Sequence, residues 1–287
     1  MQGMASRPRL LFIGNSQLGC LKLALDRWPQ DLAGYAIDYM PINQLWTADL
    51  EVDEGWLRSR SETANRVLVP APGAKEEVFI PDYHAVVIVG LGATVMHMGL
   101  IYHHHRLLMH RGPGKQLLSR AAFDAAAAEV LLRCGARLVA ARIREVSVLP
   151  TLLVPEPLPS HAITEDGEEW GDAWTGAHVG FLHAAYGRHL NDTFAPLSVD
   201  ILGQSEQTIV HEYFTNPVHA RGAVNIYRPR PRPADGPGHP YKAYRKDDRR
   251  HMNEEYGRLA VKGVGAWLRS RLDPAAPSDV SGSRATR

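Results

Sequence analysis

Two cysteines, Cys20 and Cys134, are the whole thiol complement of 287 residues. That number cannot build a disulfide framework. Both fall in helical, apolar patterns, so each is expected to be a buried free thiol. Long apolar runs are also missing: none approaches the roughly 20 residues that a bilayer-spanning helix needs. Charge of one sign is missing too. Lys plus Arg number 32, Asp plus Glu 31, for a net +1, which gives no electrostatic case for nucleic acid as a partner. No phosphate-binding Gly-x-x-x-x-Gly-Lys motif occurs, which removes the nucleotide triphosphatases. Residues 1–8 lead to the first strand without a cleavable apolar segment, so a cytoplasmic location is expected.

What is present alternates. Leu10 to Ile13 form an apolar run that ends in Gly14-Asn15-Ser16. Leu18, Leu21 and Leu25 then recur at helical spacing, reading as strand, tight turn and helix. Strands are also expected at residues 35–40, 83–90, 147–154 and 197–202. The continuous β-branched run in 83–90 suits a strand covered on both faces. Helices are expected at 119–134, with Ser119 as cap and Gly135 as interruption, at 176–194, and from Asn253 to about Arg271. Residues 66–69 and 77–80 read as a small hairpin. About five strand–helix alternations predict an α/β fold with a parallel sheet of about five strands and helices on both faces. One domain is expected over 1–272, with insertions near 43–80 and 216–246 and a disordered polar tail at 273–287. Arg228 to Arg232, an Arg–Pro alternation inside the second insertion, reads as a solvated loop.

In such sheets sites form at the carboxyl ends of strands. Ser16 falls there, beside a helix N-terminus whose free N–H groups favour an anion. Near the other end of the chain, Asp248 and His251 stand three apart just before the last helix. That spacing lets a carboxylate meet an imidazole, fix its tautomer and leave the other ring nitrogen to take a serine proton. Asp247 is the alternative orienting carboxylate.

Gly14-Asn15-Ser16 at the first strand, with Asp248-Arg249-Arg250-His251 before the last helix, resembles the SGNH (GDSL-type) hydrolase superfamily over about residues 9–270. The resemblance implies a flavodoxin-like three-layer α/β/α sandwich. It also implies Ser16 as nucleophile, His251 as general base and Asp248 as its partner. An ester or acylated carbohydrate would be the substrate, without a metal or cofactor. The alternatives are an acyltransferase of surface polysaccharide biosynthesis, since Gly14-Asn15-Ser16-Gln17 is loosely similar to capsule-biosynthesis acetyltransferases, and a catalytically decayed sugar- or acyl-binding protein.

The chain departs from the family pattern in three places. Asn15 stands where Asp is usual. Gly55 is the nearest candidate for the second-block glycine. The third block reads Gly90-Leu91-Gly92, so the usual Asn side chain that donates to the oxyanion is absent. The Ser16 and Gly92 backbone N–H groups and the His97 ring are the candidate donors. His103, His105, Gln204 and Thr208 are candidate substrate contacts. Adjacent histidines in an extended chain point to opposite sides and no regular ligand spacing accompanies them, so no metal site is expected at 103–105. Trp170, Trp174 and Tyr186 stand where they can stack on a sugar, but their helical spacing fits a core role.

Overall fold

The computed structural model describes residues 7–60, 73–108, 115–165, 171–229, 241–245 and 248–272. The expected strands at 66–69, Trp170, Asp247, much of the Arg–Pro run and the tail lie outside them.

Five strands form the central sheet: β1 (Arg9–Gly14), β2 (Ala36–Pro41), β3 (Ala85–Val89), β4 (Thr151–Val154) and β5 (Val199–Ile201). All their pairings are parallel. In space they run 2-1-3-4-5, the doubly wound order in which the chain reverses direction across the sheet between β1 and β3. Among the described residues, six α-helices connect and cover them: α1 (Leu18–Arg27), α2 (Met96–His104), α3 (Arg120–Leu132), α4 (Gly135–Val146), α5 (His178–Phe194) and α6 (Glu254–Leu272). No helix among the described residues is long and apolar enough to cross a membrane.

Strand alternation divides the core in two. Leu10, Phe12, Val87 and Leu152 point to one face and pack with Leu18 and Leu21 of α1 and Val261 and Leu268 of α6. Leu11, Ile13, Val86, Ile88 and Leu153 point to the other and meet Phe123, Val139, Ile143 and Leu182 from α3, α4 and α5. The result is a three-layer α/β/α sandwich, as expected. Because both faces are covered, β1 and β3 read as uninterrupted apolar runs.

Local chemistry sets the helix ends. Ser119 Oγ accepts the Ala122 N–H at 3.1 Å and caps α3. The helix expected at 119–134 runs from Arg120 to Leu132, and Gly135 opens α4 instead of merely interrupting α3. Its apolar face, Val139 and Ile143, is buried. Asn253 Oδ1 accepts the Tyr256 N–H at 3.1 Å, and Glu254 and Glu255 in the first turn complement the helix dipole of α6. The α1–α6 contact is close because Gly257 has no side chain to hold it off Cys20.

The insertion after β2 is a three-stranded antiparallel sheet of Leu50–Asp53, Trp56–Ser59 and Glu77–Phe79. Glu54 and Gly55, both at positive φ, make the tight turn between its first two strands. Gly55 is therefore a hairpin residue, packed on the Phe79 ring, and not a member of the site.

Candidate functional site

β1 ends at Gly14, beside the reversal of strand order, and the chain turns at once through Asn15 and Ser16 into α1. Asn15 shapes the turn, its Oδ1 accepting the Gln17 N–H at 3.1 Å. That leaves Ser16 at the sheet's carboxyl edge and at the head of α1.

The segment before α6 comes to the same place. Asp248 Oδ1 accepts the N–H groups of Arg250 and His251, at 2.9 and 2.8 Å, which folds the segment into a turn. Its Oδ2 lies 2.9 Å from His251 Nδ1. A carboxylate only accepts, so Nδ1 carries the hydrogen and Nε2 presents a lone pair. Nε2 is 2.8 Å from Ser16 Oγ. Burial alone would raise the Asp248 carboxyl, but the hydrogen bonds from the His251 ring and the two backbone N–H groups outweigh it and bring it below its ordinary value. Buried Gln17 ties the two loops together, donating to the Arg250 carbonyl at 3.1 Å.

Tyr244 completes this cluster. Its ring lies flat on the His251 imidazole, centroids 3.7 Å apart and planes 8° from parallel. It comes from the insertion at 216–246, which composition alone marks only as a surface excursion.

Glu156, just past β4, is the second residue that pattern reading missed. One of its oxygens, Oε1, accepts from Asn15 Nδ2 at 3.0 Å and from Gly92 N at 3.1 Å. It thus clamps the Ser16 turn to the loop after β3. Gly90, Leu91 and Gly92 in that loop all have positive φ. At Gly90 a Cβ would stand 2.5 Å from Asn15 Oδ1, so only glycine fits. The available signal was a carboxylate between two prolines, Pro155 and Pro157, directly after a buried strand.

Two of the expected oxyanion donors are already engaged. The Gly92 N–H is engaged by the Glu156 carboxylate. The His97 ring donates Nε2–H to the Gly92 carbonyl at 3.0 Å. Burial pushes that ring below its ordinary value, with Glu156 opposing and Arg250 assisting, so it stays neutral with its one N–H engaged. Neither is directed at an acyl oxygen. Of the expected donors, the Ser16 backbone N–H remains.

Of the expected substrate contacts, Gln204 and Thr208 line a cavity at the carboxyl ends of β4 and β5 and make hydrogen bonds of their own. Gln204 Oε1 accepts the Leu158 N–H at 2.8 Å, and its Nε2 donates to Thr208 and Thr215 hydroxyls at 3.0 and 2.9 Å. Thr208 is fully buried, its hydroxyl donating to Ser205 O. These two hold loops together through their own hydrogen bonds. His103 pairs with Asp172 at 2.9 Å, roughly 9 Å further along α2 than His97 at 1.5 Å per residue. His105 follows the end of α2 and opens a short strand, with a buried Nδ1. Neither joins Ser16. Trp174 is buried, and buried Tyr186 donates its hydroxyl to Ala93 O, as core residues do. Among the described residues no group of three or more His, Cys, Asp or Glu is placed to hold a metal.

A cavity of about 530 Å³ opens at the carboxyl ends of β4 and β5, walled by Val154, Leu158, Leu202 and Leu259 and sharing Glu156 with the clamp.

No family model matches the chain, and no curated protein does. The solved structures to which it is similar include two that align over most of its length. One is a crystal structure that aligns over 93% of this chain and 99% of its own, at 13% identity and a TM-score of 0.40. The other is that of a DUF4886 family protein from Bacteroides uniformis, over 95% and 88%, at 11% identity and a TM-score of 0.38.

Proposed function

We propose that this protein is a serine-dependent acyl hydrolase of the SGNH type, acting on an ester or an acylated carbohydrate. The observation that carries the reading is the continuous chain Ser16 Oγ, His251 Nε2, His251 Nδ1, Asp248 Oδ2, with links of 2.8 and 2.9 Å. The residues come from opposite ends of the sequence, and the order of roles is that of a nucleophile, a general base and a carboxylate that holds the base in one tautomer.

In this mechanism Ser16 Oγ attacks the acyl carbonyl while His251 Nε2 takes its proton. Asp248 stays ionised and stabilises the imidazolium. The negative charge on the carbonyl oxygen faces the Ser16 N–H at the head of α1, where the helix dipole favours an anion. His251 then gives the proton to the leaving alcohol. Water, deprotonated by the same ring, cleaves the acyl-serine and returns Ser16.

A fluorophosphonate probe tests the reading. Wild type is expected to be labelled at Ser16, and Ser16→Ala to resist labelling and lose p-nitrophenyl acetate hydrolysis by roughly 10³-fold or more. A folded wild type that takes no label, or equal hydrolysis by the two proteins, overturns it.

A further inference from the structure

Two hydrogen bonds hold the His251 ring, one at each nitrogen, and an imidazole nitrogen bonds along the ring plane. They fix where the nitrogens sit. They resist poorly a swing of the ring about the line joining those nitrogens, because that swing leaves both atoms in place. Something must bear on the face of the imidazole to stop it. The Tyr244 ring does so, at a 3.7 Å centroid separation and an 8° angle between planes. Tyr244 is itself anchored, its N–H donating to Ala223 O at 2.9 Å. It directly follows the Tyr241–Ala243 strand, which pairs antiparallel with Val224–Pro229. The 216–246 insertion thus reaches the candidate site through the Tyr244 side chain.

We propose that Tyr244 is a positioning residue for His251. It keeps the imidazole in the plane that serves both Ser16 and Asp248, and its π face favours the ring once it becomes imidazolium. Since the positive charge exists only after the serine proton has moved, this second effect acts in the transition state and not in the resting enzyme. The proposal rests on the serine-hydrolase reading, and its test separates the two.

The experiment measures the second-order rate of fluorophosphonate labelling at Ser16 in wild type, Tyr244→Phe and Tyr244→Leu, each normalised to folded protein. Tyr244→Phe keeps the stacked ring and is expected within about twofold of wild type. Tyr244→Leu keeps bulk without a π face and is expected to slow labelling about tenfold or more. The His251 ring-proton resonance, assigned with His251→Gln, gives a readout independent of chemistry. It is expected upfield in wild type and Tyr244→Phe through the Tyr244 ring current, and to return downfield in Tyr244→Leu. A labelled wild type whose rate Tyr244→Leu leaves unchanged overturns the proposal alone. Equal losses in the Phe and Leu variants also overturn it, since the hydroxyl would then be the active part. A folded but unlabelled wild type overturns the serine reading and the proposal with it. Should Tyr244→Leu not fold, a His251 resonance without upfield displacement in both wild type and Tyr244→Phe overturns the stacking.

Discussion

Gly257 faces the Cys20 carbonyl so closely that a Cβ on it would stand 2.0 Å from the oxygen. The seam between α1 and α6 is therefore set by backbone contact. Ser16 lies two residues before α1, and His251 three before α6. The distance between Ser16 and His251 follows from how closely these helices approach. Gly257→Ala must push them apart by about 1 Å, the gap between 2.0 Å and the 3.0 Å that a real Cβ needs. A loss of about 1–3 kcal/mol is expected in urea unfolding. Labelling at Ser16 should fall roughly 100-fold, since misplacement of that size disrupts reacting geometry. Unchanged stability would mean that the seam is not the constraint described.

Asp248 makes stability depend on pH in a definite direction. Its carboxyl is held below the ordinary value in the folded protein because, against burial, the His251 ring and backbone N–H groups favour the ionised form. The unfolded chain therefore takes up this proton first as pH falls. The stabilisation is complete above the ordinary carboxyl value of about 3.9 and disappears as pH drops through the lower folded value. The urea midpoints of wild type and Asp248→Asn should differ most near pH 6 and converge in strong acid, to the extent that this one group causes the gap. A gap of constant size would remove the carboxylate as its source.

Glu156 is expected to matter through the two N–H groups it accepts. Glu156→Ala leaves both without that acceptor, at a cost of about 1–3 kcal/mol, and frees the Ser16 turn to move. Glu156→Gln retains an acceptor oxygen and should fall between wild type and Ala in thermal midpoint and in labelling rate. A Glu156→Ala protein as stable and reactive as wild type would show that the clamp does not matter.

Gln204 separates a structural role from a substrate contact. Its three hydrogen bonds tie the loop after β5 to Leu158, Thr208 and Thr215. Gln204→Ala should lower stability by about 1–3 kcal/mol while KM for p-nitrophenyl acetate stays within about twofold. A raised KM at unchanged stability would restore the substrate role.

The alternation of apolar runs and helical spacing was enough to read the sheet, because β1 and β3 are buried on both faces. The Ser16 turn and the Asp248–His251 spacing were legible because their chemistry is local. What lay hidden depends on tertiary approach. Glu156 meets Asn15 across 141 positions, and Tyr244 reaches His251 from a stretch whose composition signals only a loop. The α4 helix went unread at Gly135–Val146 because a glycine at 135 looks like an interruption and here is a start. Gln204 and Thr208 bond each other and also line the cavity, and polar side chains after a strand look the same in sequence for either role.

Cys20 sits inside the α1–α6 seam, its Sγ donating to Gln17 O at 3.2 Å, and burial pushes its thiol up to about 12. Cys134 lies in the cluster on the other face of the sheet, pushed up to about 11. Neither presents a thiolate to a disulfide reagent in the closed protein. Each becomes reactive only when its own layer opens. The two rates of modification therefore give separate opening free energies for the two halves of the molecule. The Cys20 rate gauges how often the seam behind Ser16 and His251 comes apart, with no ligand required.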